Sequence, residues 1–140
     1  MGMRYLLDTN VCIGFLRGKN PRLLERFEAV SAQDKYLCPI VAGELFYGAA
    51  KSRWRSETLA SLSRFLARFE MLPYDLEAAR HFGDIRAYLA AQGQPIGPYD
   101  LQIAAIARAH QAVLVTHNID EFSRVPGLCL EDWESDSPAP

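Results

Sequence analysis

The sequence predicts an α/β fold built on a mainly parallel sheet of four or five strands, and three observations carry that expectation. Apolar runs too short for helices lie near residues 3–7, 36–38, 71–74, 112–116 and 128–130, each closed by a polar residue or proline, as buried strands are. Longer segments between them repeat apolar residues three and four apart, which is helical spacing. The two kinds alternate, and a chain that alternates strand and helix builds parallel strands joined by helical crossovers. Ligands of such folds bind beyond the carboxyl ends of the strands, so the polar residues after each apolar run come first in any search for a site.

The first run, Met3-Arg4-Tyr5-Leu6-Leu7, ends in Asp8-Thr9-Asn10 and so delivers a carboxylate to the sheet edge. A short helix over 11–17 follows, capped by Thr9 or Asn10 and stopped by Gly18. Asn20-Pro21 opens a second helix over 21–32, with Leu23, Leu24, Phe27 and Val30 on one face. Phe15, Leu16 and Phe27 of this hairpin serve either the core or a partner.

Tyr36-Leu37-Cys38 is the second strand, and Pro39 leads into a helix over 40–50 that carries Glu44 among Ile40, Val41, Leu45 and Phe46. A lone Glu in such a run either points into the molecule or marks the solvent side of an amphipathic helix. Gly43 and Gly48 each cost that helix about 1 kcal/mol relative to Ala, which implies close packing on their side. Lys51-Ser52-Arg53-Trp54-Arg55 is the one dense basic cluster, either a solvated helix end or an RNA contact. Residues 57–69 repeat Leu59, Leu62, Phe65, Leu66 and Phe69 at helical spacing and belong to the core.

Met71-Leu72-Pro73-Tyr74 is a brief strand, and Asp75 caps a long helix to about residue 92, ended by Gly93. Its buried stripe is Leu76, Ala79, Phe82, Ile85 and Leu89; His81 beside it is a packing residue or a ligand, and Arg86 a surface charge or a phosphate contact. A rigid loop through Pro95 and Pro98 enters a helix over 99–110, with Asp100 in the first turn, where the helix dipole favours the ionised form. Ile103, Ala104, Ile106 and Ala107 make this helix almost wholly buried. The most strand-like run, 112–116, closes in Thr116-His117-Asn118-Ile119-Asp120-Glu121-Phe122. Pro126-Gly127 turns into a last short strand, giving a single domain over 1–134 and a disordered tail over 135–140.

A chain of 140 residues with 49% hydrophobic and 23% charged content needs no disulfide staple. Its net charge of −2 excludes a protein that wraps nucleic acid by bulk charge, while a local basic patch remains compatible with a phosphate backbone. Cys12, Cys38 and Cys129 are odd in number, widely spaced and set in apolar surroundings, the pattern of buried reduced thiols rather than a zinc site. No apolar run approaches the roughly 20 residues that span a bilayer, and the start lacks a signal-peptide layout, so the expected location is the cytoplasm. Met1-Gly2-Met3 leaves open which methionine is the native start.

Asp8, Glu44, Asp100 and the pair Asp120/Glu121 each stand at the end or start of an element beside an apolar run. If they meet, they form an acidic pocket. Two carboxylates about 4 Å apart repel by roughly 4 kcal/mol at an effective dielectric of 20, so such a set needs a cation. All-oxygen ligands select a hard ion, Mg²⁺ or Mn²⁺ over Zn²⁺, able to activate water and steady the charge on a phosphodiester. The sequence contains no Gly-rich phosphate loop, nucleophile elbow or helical His pair.

Leu7-Asp8-Thr9-Asn10, Gly43-Glu44-Leu45-Phe46-Tyr47-Gly48-Ala49, Gly97-Pro98-Tyr99-Asp100 and Val115-Thr116-His117-Asn118 with Phe122, in this order and spacing, resemble the motifs of PIN-domain ribonucleases. More narrowly, the chain resembles the VapC toxins of type II toxin–antitoxin systems over residues 3–133. The resemblance implies a three-layer α/β/α sandwich and a toxic Mg²⁺-dependent endoribonuclease, Mn²⁺ substituting, that hydrolyses RNA. The implied substrate is tRNA; the Gly-Pro-Tyr-Asp loop and Glu131-Asp132-Trp133 resemble the branch that cuts initiator tRNA. It also implies a homodimer inhibited by a VapB-type antitoxin, assembling with it on operator DNA as a heterooctamer. By position, Asp8 and Asp100 are the main metal ligands and Glu44 a further acid. The fourth position falls to Asn118, Asp120 or Glu121, with Thr116, Thr9 and Asn10 orienting. Relatives often place Ser or Thr at the start of the Glu44 helix, where this chain has Pro39 and Val41.

Two other readings stay open on the residues alone. One is a catalytically weak PIN-like binding module that acts with its antitoxin on operator DNA; retention of Asp8, Glu44 and Asp100 speaks against it, since an idle pocket gains stability by losing like charges. The other is a metal-dependent phosphatase or phospho-accepting receiver, for which the acidic pair before the acceptor strand and the matching Lys are missing.

Overall fold

A computed structural model of the chain, described over residues 2–135, contains five strands and seven α-helices in the order β1 (Tyr5–Leu7), α1 (Thr9–Arg17), α2 (Pro21–Ala29), β2 (Lys35–Leu37), α3 (Pro39–Ala50), α4 (Arg55–Leu66), β3 (Glu70–Met71), α5 (Leu76–Ala91), α6 (Pro98–Ala109), β4 (Val113–Val115), α7 (Ile119–Phe122) and β5 (Leu130–Glu131). The expected tail falls mainly on 136–140, outside the described residues. The sheet order is β3-β2-β1-β4-β5 and every neighbouring pair is parallel. From β1 the chain builds outward through β2 to β3, then returns to the other side of β1 with β4 and β5. That reversal opens a crevice at the carboxyl ends of β1 and β4, because the connections leaving the two strands diverge. Asp8 follows β1 and Thr116 follows β4, so both stand on its lips.

The elements form for the reasons the sequence suggests, with local shifts. Proline occupies the first turn of α2, α3 and α6, where its missing N–H costs nothing. Gly18 ends α1 in the left-handed conformation at φ 68°, donating its N–H to Gly14 and Phe15 carbonyls. Helix α6 is buried from Ile103 through Ala107, and its alanines let it lie close against α5, β4 and α3. Helix α2 ends at Ala29 rather than residue 32, because Val30 is extended and Ala32–Asp34 form a separate 3₁₀ turn. The edge strands are also shifted: β3 stops at Met71 ahead of Pro73, and β5 begins at Leu130. Helix α7 is an element that four residues of mixed polarity do not announce.

The buried stripe of α5 is Ala78, Ile85 and Leu89, with Phe82 half-buried. Leu76 and Ala79 of the expected stripe are exposed, Leu76 by 69%. Of the three thiols, Cys12 and Cys38 are buried as expected but Cys129 is exposed. His81 is a packing residue: its Nδ1 accepts from Arg108 Nε at 2.8 Å, while the same guanidinium reaches Asp84 and the Pro126 carbonyl. No helix among the described residues is long and apolar enough to cross a membrane.

Phe27 decides the hairpin's role in favour of the core. Fully buried, it stacks on Phe15 with ring centroids 3.7 Å apart and meets Phe69 edge-on. The buried Lys35 ammonium lies 3.7 Å from its ring centroid and donates to its carbonyl oxygen at 2.6 Å. Burial pushes the Lys35 pKa below the usual lysine value. Leu16, by contrast, is 44% exposed. Replacing Phe27 by Ala removes the stacking partner and the cation's ring together, and should lower the unfolding free energy by about 3–5 kcal/mol, read from the urea midpoint at constant slope.

Candidate active site

Asp8 does two jobs, one with its backbone and one with its carboxylate. Its own N–H donates to the Val115 carbonyl at 3.1 Å, tying the end of β1 to β4, and its Oδ1 accepts from the Val11 N–H at 2.8 Å as the N-cap of α1. The cap is therefore Asp8, not Thr9 or Asn10. The Thr116 hydroxyl also hydrogen-bonds this carboxylate, while Thr116 Oγ1 accepts from the Asn118 N–H at 3.0 Å. Thr9 is thereby free to turn across the crevice and donate to Glu44 Oε1 at 2.6 Å. That bond settles Glu44: on half-buried α3 surface it points toward the crevice, although no hydroxyl caps the start of its helix.

Asp100 sits in the first turn of α6, and Glu121, on α7, is hydrogen-bonded to it. Glu121 also accepts from Asn118 Nδ2 at 3.1 Å and from the Gly97 N–H at 3.3 Å. Of the three residues offered for the fourth position, Glu121 joins the cluster, Asn118 holds it there, and Asp120 is exposed, engaged only through its carbonyl to Ser123. Helix α7 explains the choice, since it turns one acid of the pair inward and the other out.

Burial, with Glu134 and Glu44 adding to it, raises the Asp8 pKa to about 6 against the opposing bonds from Thr116 and Val11. Burial followed by the charge of Glu121 raises Asp100 to about 6, and Asp8 and Glu44 push the same way. For Glu121, burial is outweighed by the bonds from Asn118, Gly97 and Asp100, and its pKa is lowered. A proton shared by the last two acids therefore resides on Asp100. All donors are carboxylate oxygens, and two of them hold protons more tightly than carboxylates in water do. This is the donor set and the electrostatic deficit that a hard divalent cation relieves. Asp8, Asp100 and Glu44 would hold it, with Glu121 behind Asp100.

Apart from the Asp100–Glu121 contact, these acids are not crowded. Among the described residues the group whose ligand atoms all lie within 4.8 Å of one another is instead His117, Asp132 and Glu134, just beyond β4 and β5. His117 Nδ1 is 3.0 Å from Asp132 Oδ2, and Asp132 Oδ1 accepts the Glu134 N–H. The sequence does not announce this trio, since Glu131 separates Asp132 from the apolar run 128–130. The wider spacing of Asp8, Glu44 and Asp100 suits an ion that keeps part of its water shell.

From Thr9 and Glu44 a groove of about 1350 Å³ runs between α1, α3 and α4. Ile13, Leu16, Ile40 and Leu62 line it, with Arg17, Lys51, Tyr47 and Tyr99 toward its rim. Gly43 and Gly48 also face it, and a Cβ at either would meet nothing within 4 Å. The close packing expected at these glycines is thus absent. Of the basic cluster Lys51 borders the groove; Arg53, Trp54 and Arg55 are exposed beside it, and Arg86 is exposed on α5.

The PIN domain family matches residues 5–128. The chain is 43% identical over 131 residues to the tRNA(fMet)-specific endonuclease VapC of Salmonella typhimurium strain LT2, covering 94% of this chain and 98% of that one. It is 39% identical over 131 residues to Ribonuclease VapC2 of Haemophilus influenzae, with the same coverage. The crystal structure of DNA-bound VapBC from Salmonella typhimurium contains a chain that superposes with a TM-score of 0.88 at 42% identity, covering 94% of this chain and 99% of that one.

The sign of the Asp8 shift is unusual for a folded protein. Because its pKa rises from 3.8 to about 6, the folded chain binds this proton more tightly than the unfolded chain, and stability is lost as pH rises between those values. The cost at neutral pH is on the order of 3 kcal/mol for this one group. Without divalent ions the thermal midpoint should therefore be higher at pH 5 than at pH 7.5, and Asp8→Asn should shrink that difference, with Asp100, likewise raised, supplying the rest. Mg²⁺ or Mn²⁺ should raise the midpoint at pH 7.5 and do little at pH 5.

Proposed function

The chain belongs to the PIN domain family, and we propose that it is a divalent-metal-dependent endoribonuclease, the toxin of a VapBC-type toxin–antitoxin pair, whose site is Asp8, Glu44, Asp100 and Glu121. The observation that carries this reading is the pair of carboxyls, the buried Asp8 and the half-buried Asp100, both raised to about 6 at the crevice between β1 and β4. A fold gains nothing from such groups unless a cation meets them, which disfavours an idle binding module. Mg²⁺ is the proposed ion, with Mn²⁺ able to replace it. Bound there, it supplies Lewis acidity toward a phosphodiester and lowers the pKa of water.

The chain's own residues hold the geometry. Thr116 and the α1 amide fix the Asp8 carboxylate at the crevice without a rotamer search. Thr9 fixes Glu44 in the same way from the opposite wall. Glu121, hydrogen-bonded to Asp100, holds that carboxyl in position at the crevice. Asn118 and the Gly97 amide keep Glu121 at that station.

The substrate proposed is tRNA, and within it initiator tRNA, as the name of the Salmonella relative states for that protein. The partner proposed is a VapB-type antitoxin, a segment of which occupies the apolar groove and closes the approach to Glu44. VapBC relatives bound to DNA support assembly with the antitoxin on operator DNA; the form proposed is a toxin dimer within a heterooctamer, in the cytoplasm.

Purified chain with Mg²⁺ should cut total tRNA into discrete fragments resolved on a denaturing gel. Asp8→Asn and Asp100→Asn should each slow cleavage by at least about 100-fold, the scale of losing one charge-stabilising group, and EDTA should abolish it. Cleavage that survives both substitutions would remove the assignment.

A further inference from the structure

Two tyrosines border the acidic crevice, and nothing in the fold accounts for their exposure. Tyr47 is 67% exposed and Tyr99 58%, and both line the groove that begins at Glu44. Tyr47 follows Glu44 by three residues on α3, one turn along the same face, and Lys51 follows by another turn with its ammonium 4.7 Å from the Tyr47 ring centroid. Tyr99 immediately precedes Asp100. Among the described residues no hydrogen bond engages either hydroxyl. The acids thus have an aromatic ring on each flank, one from α3 and one from α6, and a cation two turns out from Glu44. Gly43 and Gly48 leave open space on α3 on either side of Glu44 and Tyr47. Aromatic faces beside a positive charge are the means by which proteins hold single-stranded nucleic acid, because every base has a π-face and a phosphate follows it.

Resting on the ribonuclease reading above, we propose that Tyr47 and Tyr99 are base-stacking positions that receive the unpaired nucleotides flanking the scissile phosphate, with Lys51 meeting the phosphate beyond Tyr47. The ligand class is single-stranded RNA. A base in a duplex presents an edge and not a face, so a paired segment does not use these rings. Specificity for a loop then comes from the protein's own side chains and does not depend on the cation.

The test is binding, measured in an Asp8→Asn background so that no RNA is consumed. Fluorescence anisotropy with a labelled unpaired oligoribonucleotide should show about 5- to 150-fold weaker binding for Tyr47→Ala and for Tyr99→Ala, the range that base–aromatic stacking spans. Tyr47→Phe and Tyr99→Phe should bind as the parent does, and affinity for the same sequence paired in a duplex should not change with any of the four. Alanine variants that bind unpaired RNA as tightly as the parent overturn the proposal. Phenylalanine variants as weak as the alanine ones overturn it too, because the hydroxyl and not the ring would then be responsible. RNA affinity retained while the co-expressed antitoxin no longer copurifies would assign the rings to the protein partner and also refute it. Cleavage by the unsubstituted chain tests the ribonuclease reading separately, so a cleaving enzyme with indifferent tyrosines fails only here.

Discussion

The structure turns on a carboxylate placed where a fold would not otherwise put one. Asp8 is 6% exposed at the end of the central strand, with Glu44 and Glu134 near enough to oppose its ionisation. Isolated, such a group would neutralise itself or pull the crevice open. It is retained because two hydrogen bonds, from the start of α1 and from Thr116 beyond β4, hold it between the two strands at which the sheet reverses. Those same bonds start a helix and link neighbouring strands. The charge is therefore anchored by contacts the fold needs in any case, and a site with unmet charge can exist without unravelling its surroundings.

Much of the architecture was legible because the central elements obey simple periodicities. The runs ending in Asp8 and Thr116 are short, apolar and abruptly polar, and both are the strands at the heart of the sheet. Helix α6, with its prolyl start and alanine-rich interior, could be read from spacing alone. The peripheral elements were harder. Leu76 and Ala79 fit a helical stripe as well as Ala78 does, and only the direction from which α6 approaches α5 decides which is covered. The two-residue strands at the sheet edges carry too little sequence to fix their ends.

The site was legible in its identities and not in its geometry. Asp8, Glu44 and Asp100 stand out as acids against apolar neighbours. Which of Asn118, Asp120 and Glu121 joins them depends on α7, a helix of four residues with no pattern of its own. The orientation of Glu44 depends on Thr9, thirty-five positions away, and no local rule connects them. Gly43 and Gly48 misled for an instructive reason: glycine in a helix signals that something needs room, but not whether that thing belongs to the same chain.

The four acids come from β1's end, α3, α6 and α7, so the site draws on nearly the whole length of the chain. During synthesis the residues emerge in that order, and Glu121 comes last of the four. Until then Asp100 lacks its proton-sharing neighbour and β1 lacks β4, the strand that holds Asp8 in place. A chain made only as far as α6 consequently carries three of the four acids, with Asp8 not yet tied to β4.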